Sequence, residues 1–214
     1  MKMEHTIFAL TQLGEISTVA EYLRLLDINI PTIVKKESDR IWTELDEEDE
    51  TERSLGNDLE EQLSLGLTTQ LLTGGTLVAI WGLYETVVSN CAKALRNKQG
   101  AGLRMRDLKG SFQESARKYF DHVLKFDLHP SGTDWNRLKT IATIRHVFAH
   151  ANGSIESADD STIEQIRQVE SNSNGLEVVA FSLVISTSFA NETWNFVQPL
   201  VTDLVERVDK YIRK

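Results

Sequence analysis

Apolar positions recur at three- and four-residue intervals along most of this chain, so the pattern predicts a mainly α-helical protein. Residues 5 to 27 predict a helix that buries Val19, Tyr22, Leu23 and Leu26. Ile30-Pro31 predicts a break before a second helix holding Ile33, Ile41, Trp42 and Leu45. From Asp58 to Leu95 the spacing is helical throughout, with Leu77, Trp81, Tyr84, Val88, Cys91 and Leu95 as a heptad-like stripe on a central helix. Gly66, Gly74, Gly75 and Gly82 interrupt that stretch and point to a kink near Gly74-Gly75. Ser111 and Glu114 form a capping box for a helix that buries Phe112, Ala116, Tyr119, Phe120 and Val123 and stops by His129-Pro130. Thr133 or Asp134 then caps a helix whose stripe is Trp135, Leu138, Ile141, Ile144 and Phe148, ended by a left-handed Asn152-Gly153.

Beyond Gly153 the pattern changes. Ser161 and Glu164 read as the cap of a short helix with Ile163, Ile166 and Val169, and Asn174-Gly175 as a turn. Leu176 to Ile185 is β-rich, which predicts a small hairpin or an edge against the preceding loop. A last helix from Thr187 carries Phe189, Phe196, Leu200, Leu204, Val208 and Tyr211, with a kink expected at Pro199. The expected architecture is a helical bundle with a small β-hairpin before the last helix, preceded by an N-terminal helical extension. The domain boundary is expected near 52, giving an extension of 1–52 and a bundle of 53–214.

Composition changes this picture in two places. The net charge is −9, yet residues 37 to 61 hold twelve Asp and Glu against Arg40 and Arg53. The acidity is therefore local, and residues 93 to 118 hold eight Lys and Arg, among them Arg96, Lys98, Arg104 and Arg106, against Asp107 and Glu114. Those four cations are candidate nucleic-acid contacts, beside the plainer reading of both runs as solvated helix faces and loops, since neither interleaves aromatics as single-strand binders do. The single cysteine, Cys91, lies on the core stripe and allows no internal disulfide. With no signal peptide and no apolar run of about 18 residues, the chain is expected to be soluble and cytoplasmic, without a membrane partner.

The densest chemistry is Ile144-Arg145-His146-Val147-Phe148-Ala149-His150, which holds two of the five histidines at the end of a helix. Histidine serves as base or acid near neutral pH, and arginine pairs bidentately with phosphate oxygens, so the set suits acid–base chemistry at a phosphate group. On a regular helix Arg145 and His150 lie about 140° apart while His146 and His150 lie about 40° apart. Either the helix loosens near its end or a second subunit completes the site. Arg145 sits at the edge of the apolar arc, where an acidic partner is expected, and Glu85 on the central helix is the supporting candidate. Cations near a helix C-terminus also offset the macrodipole, which is the purely structural reading of the same residues. Arg117 and His122 repeat the spacing within a helix, with no Asn-Gly stop, and read as a decoy. There is no Gly-Lys-Ser/Thr phosphate loop and no Cys or His pair at metal-ligand spacing, so neither cofactor nor metal is expected; His129 beside Pro130 reads as a turn residue.

The motif string and the element order over roughly 55 to 212 resemble the HEPN superfamily, whose signature is Arg, a polar residue, further residues, then His. The resemblance implies a metal-independent endoribonuclease with Arg145, His146 and His150 as catalytic residues. It also implies RNA as substrate and a homodimer that brings two motif copies together. Many members are toxins or defence effectors, which adds a cognate antitoxin as a possible partner protein. A non-catalytic HEPN-like module that binds a nucleotide, RNA or a protein through the same surface stays open beside it.

Overall fold

Leu77, Trp81, Tyr84, Val88, Cys91 and Leu95 are all buried, and the helix that carries them, α3, runs from Gly74 to Gln99. The computed structural model describes residues 6–45, 49–63, 72–171 and 173–214. Among the described residues are seven α-helices and one two-stranded antiparallel sheet directly before the last helix, so the fold is mainly α with a small hairpin. The other elements are α1 (Ile7–Glu44), α2 (Glu50–Leu63), α4 (Phe112–Lys118), α5 (Trp135–Ala151), α6 (Asp160–Glu170), β1 (Leu176–Val179), β2 (Ser182–Ile185) and α7 (Thr187–Ile212). No described helix is long and apolar enough to cross a membrane.

Backbone contacts divide the chain into two compact units. The first comprises Met1–Ala20, Ala79–Lys139 and Thr193–Lys214. It is a helical bundle whose apolar stripes contribute roughly 1.5–3 kcal/mol for each fully buried large side chain. Its polar contacts tie the helices at their ends. Buried Asp209 accepts from the Thr6 N–H (3.1 Å) and hydroxyl (2.6 Å) and pairs with Arg213 at 3.0 Å. Buried Gln12 accepts from Asn90 Nδ2 at 3.0 Å, joining α1 to α3. Arg207 donates to the carbonyls of Asp127 (2.6 Å) and Leu128 (3.1 Å) and to Asp203 (2.7 Å), which fixes the chain leading to His129.

His129 lies in a bend, as read, but its side chain is buried. Its Nε2 meets the Tyr84 hydroxyl at 2.8 Å, and its ring packs against Tyr84 and Trp135. Burial, with Arg207 adding to it and Asp203 opposing, pulls the imidazole down to about 4. Burial likewise raises the Tyr84 phenol, and it pushes the Cys91 thiol up to about 12, so Cys91 is a packed thiol rather than a nucleophile.

The second unit comprises Glu21–Val78 and Thr140–Glu192. Here the later part of α1 and α2 form a helical hairpin, in which Glu60 accepts from Ser38 Oγ and from Trp42 Nε1 (3.2 Å). Gly56 makes this approach possible, because a Cβ there would come within 2.5 Å of the Trp42 ring. In the same unit β1 pairs with β2 from Leu176↔Ile185 to Val179↔Ser182, and the Thr73 hydroxyl donates to the Ile185 carbonyl at 2.7 Å. Gly175 enters the hairpin at φ 81°, where a Cβ would lie 1.9 Å from Ser186 Oγ.

Several sequence expectations are corrected. The helix does not break at Ile30-Pro31: α1 continues through Pro31 to Glu44. Pro31 and Asp27 are exposed, so the carbonyl that loses its N–H partner faces water rather than apolar core. The buried positions on α1 are Ala9, Gln12, Ile16, Leu23 and Ile30, a narrow heptad seam, and Tyr22 stays 39% exposed. Of the helical stretch read from Asp58 to Leu95, α2 is described to Leu63 and α3 from Gly74, with a π turn at 72–73 directly before Gly74-Gly75; positions 64–71, Gly66 among them, lie outside the described residues, as do positions 46–48 of the acidic tract. After α4 the helix widens into a π segment, Tyr119–Leu124, and ends at left-handed Lys125 (φ 48°), within the limit set by His129-Pro130, with Val123 half-buried rather than buried. Asp159, not Ser161, caps α6 by accepting from the Thr162 N–H at 2.8 Å, since a carboxylate complements the helix N-terminus better than a hydroxyl does. The Ser111–Glu114 box and the Asp134 cap form as predicted.

The depressed His129 sets a pH dependence. As pH falls the unfolded chain takes up this proton first, near 6.5, and the folded chain only near 4. Stability tied to neutral His129 is therefore complete above about 6.5, declines between 6.5 and 4, and is lost below, by roughly 3 kcal/mol. Denaturant midpoints across that window should show the decline, and His129→Gln should flatten it; parallel curves for the two proteins would contradict the assignment.

Candidate functional site

The organising helix, α5, buries Leu138, Ile141, Ile144, Val147 and Phe148. That stripe fixes the rotation of the helix and so decides where the motif side chains stand. Arg145 is half-buried at the edge of the apolar face, whereas His146 and His150 are exposed. The two imidazoles, one turn apart, face each other with ring centroids at 4.4 Å and planes inclined by 50°. This is the side-chain pair the helical wheel predicts.

The helix ends where the sequence places its stop. Asn152 (φ 49°) and Gly153 (φ 86°) are both left-handed, and the Gly153 N–H donates to the Val147 carbonyl at 3.3 Å. Gly153 is required for space as well as for φ, because a Cβ would lie 3.0 Å from the Phe148 ring and 3.2 Å from the Leu183 carbonyl oxygen. The chain leaving the helix is then stitched to β2: Leu183 N–H donates to Gly153 O (2.8 Å) and Ile155 N–H to Phe181 O (2.8 Å). An isolated bridge joins Ser154 to Ser182. The β-rich stretch is thus both alternatives at once, a hairpin and an edge against the preceding loop.

The other candidate residues belong to the first unit. Glu85 is half-buried on α3, where its carboxylate accepts from Trp81 Nε1 at 2.8 Å. Lys98, Arg104 and Arg106 are exposed; Arg96 is half-buried and reaches Asn97 Oδ1 at 3.2 Å. The loop bearing Arg104 and Arg106 is held by the Tyr119 hydroxyl, which donates to the Leu103 carbonyl at 2.6 Å, and by Asp107, which accepts from the Arg104 N–H at 2.9 Å. The repeat of the motif spacing is spent elsewhere: Arg117 lies over the Trp135 ring at 5.3 Å and 3.8 Å from Asp121. Among the described residues, no group of three or more His, Cys, Asp or Glu is placed to hold a metal ion.

No family model, curated protein or solved structure matches the chain. The site therefore rests on its own geometry.

Two outcomes test how the helix end is built. Gly153→Ala should cost about 1–2 kcal/mol for the left-handed backbone alone, and more from the contact with the Leu183 carbonyl, seen as a lower Tm. His146→Ala and His150→Ala should each change stability by no more than about 0.5 kcal/mol, because both side chains are exposed. A large loss of Tm in either histidine variant would mark the pair as structural.

Proposed function

We propose that this chain is a metal-independent endoribonuclease of HEPN type, with Arg145, His146 and His150 as its reacting groups. The observation that supports this reading best is the exposed imidazole pair at 4.4 Å on a helix end whose adjoining residue is Arg145. In the reaction one imidazole takes the proton of the ribose 2′-hydroxyl as its oxygen attacks phosphorus. An imidazolium delivers a proton to the departing 5′-oxygen, leaving a 2′,3′-cyclic phosphate and a 5′-hydroxyl. Arg145 neutralises the charge that gathers on the phosphorane, a bidentate task that guanidinium geometry suits. His150 and Arg145 are essential in this scheme and His146 assists. Arg96, Lys98, Arg104 and Arg106 contribute phosphate contacts.

The helix stays α-helical through Ala151, so it does not loosen to swing Arg145 toward His150. Of the two ways to complete the site, the second copy of the chain remains. A two-fold homodimer with the α5 ends near its axis is accordingly part of the proposal. The same angular separation favours the alternative reading, a non-catalytic module that binds RNA or a partner protein, if no second copy docks there. A toxin or defence role, with a cognate antitoxin, follows only from the catalytic reading.

Purified protein incubated with total RNA in chelator should generate fragments ending in cyclic phosphate. His150→Ala and Arg145→Ala should abolish them, while Arg117→Ala and His122→Ala should retain cleavage. Wild-type protein that leaves RNA intact, or a His150→Ala variant as active as wild type, would replace the catalytic reading by the binding module.

A further inference from the structure

The β1–β2 hairpin turns in two residues, Ala180 and Phe181, and both are left-handed, at φ 45° and 65°. That is the type I′ geometry, for which Asn-Gly is the favoured pair because it removes the Cβ penalty. A bulky residue such as phenylalanine is disfavoured at positive φ, where its Cβ crowds the following carbonyl oxygen. The ring gains nothing in return from the core, since Phe181 is 68% exposed. Fold stability therefore accounts for neither the backbone nor the side chain at this position, and strain of this kind concentrates at ligand-binding sites.

The position is also tied to the chain that leaves α5. The Phe181 carbonyl accepts from Ile155 N–H at 2.8 Å, and the neighbouring Ser182 is bridged to Ser154. Ile155 follows His150 by five residues, a reach of at most about 18 Å when extended, and the left-handed Asn152-Gly153 turn shortens it. The loop and helix start beyond Ile155 carry Glu156, Asp159, Asp160 and Glu164 with no cation among residues 155 to 164. These residues carry no cation for a phosphate, whereas the exposed Phe181 ring offers a flat apolar face.

We infer that Phe181 is a stacking platform for an unpaired nucleobase of the RNA, seating one base at the hairpin tip beside the helix end that carries His146 and His150. The inference rests on the ribonuclease reading for its choice of ligand, and it makes the substrate single-stranded: a base within a duplex has no free face to stack.

The test uses the full chain and oligonucleotides that cannot be cleaved. Phe181→Trp places an indole at the tip, and wild-type protein supplies the background from Trp42, Trp81, Trp135 and Trp194. Titration with 2′-O-methyl oligoadenosine should quench the new fluorescence, 2′-O-methyl oligouridine should quench it more weakly, and an abasic oligonucleotide should not quench it. Phe181→Ala should weaken oligoadenosine binding by about tenfold or more. The double substitution Ala180→Asn, Phe181→Gly should lose the same binding while raising the Tm, a combination that a merely structural tip would not produce. No quenching by either base-bearing oligonucleotide, or equal quenching by the abasic one, overturns the inference and leaves the tip to a protein partner. Because the methylated strands are inert, this result stands whether or not the protein cleaves RNA. If wild-type protein cleaves RNA and Phe181→Ala does so with unchanged KM, stacking fails while the ribonuclease reading survives.

Discussion

The left-handed stop at Asn152-Gly153 is the constraint on which the geometry around the two histidines of α5 depends. It ends α5 at Ala151, so that His150 stands in the final turn, exposed, with His146 one turn behind it. It also aims the departing chain so that Gly153 O and Ile155 N–H pair with β2. Two features that are remote in sequence, the motif helix and the hairpin, are thereby joined through one turn. A residue with a Cβ at 153 would press on Phe148, which anchors the helix, and on the Leu183 carbonyl, which anchors the hairpin. Geometry at both ends of the turn would change together.

Much of this was legible from residue pattern alone, for reasons that are local. The α3 stripe, the Ser111–Glu114 box, the Asp134 cap and the Asn-Gly stop depend on spacings of three to seven residues, and each forms as read. The facing of His146 and His150 follows from helical period once the buried stripe fixes the rotation of α5. What was not legible depended on solvent and on distant partners. Pro31 is tolerated because its side of α1 is wet, and no spacing rule carries that information. The seam Ala9, Ile16, Leu23 and Ile30 is thin and diluted by outward-facing Leu25 and Ile28, so a stripe through Tyr22 looked equally good.

His129 shows the same limit from the other direction. Beside a proline it reads as a turn residue, yet Tyr84, 45 positions earlier, receives it in the core. Arg207, far along in α7, holds the two preceding carbonyls that steer it there. Phe181 was hidden for a related reason. The stretch from Leu176 to Ile185 announces strands by its composition, but it contains no Asn-Gly or Gly-Gly pair to mark the turn, and only the register Val179↔Ser182 reveals that Ala180-Phe181 makes it. The departure from turn chemistry is itself the signal that points to a role for the ring.

In the proposed dimer, Arg145 of one copy and His150 of another form one reacting site. Mixing inactive Arg145→Ala and His150→Ala proteins under subunit exchange tests it most directly. If the site is shared, mixed dimers contain one intact pair, and cleavage of RNA in chelator should return to about a quarter of the wild-type rate at equal amounts of the two chains. If exchange is demonstrated and the mixture stays as inactive as its components, the site is not shared between copies and the account of the helix end is wrong.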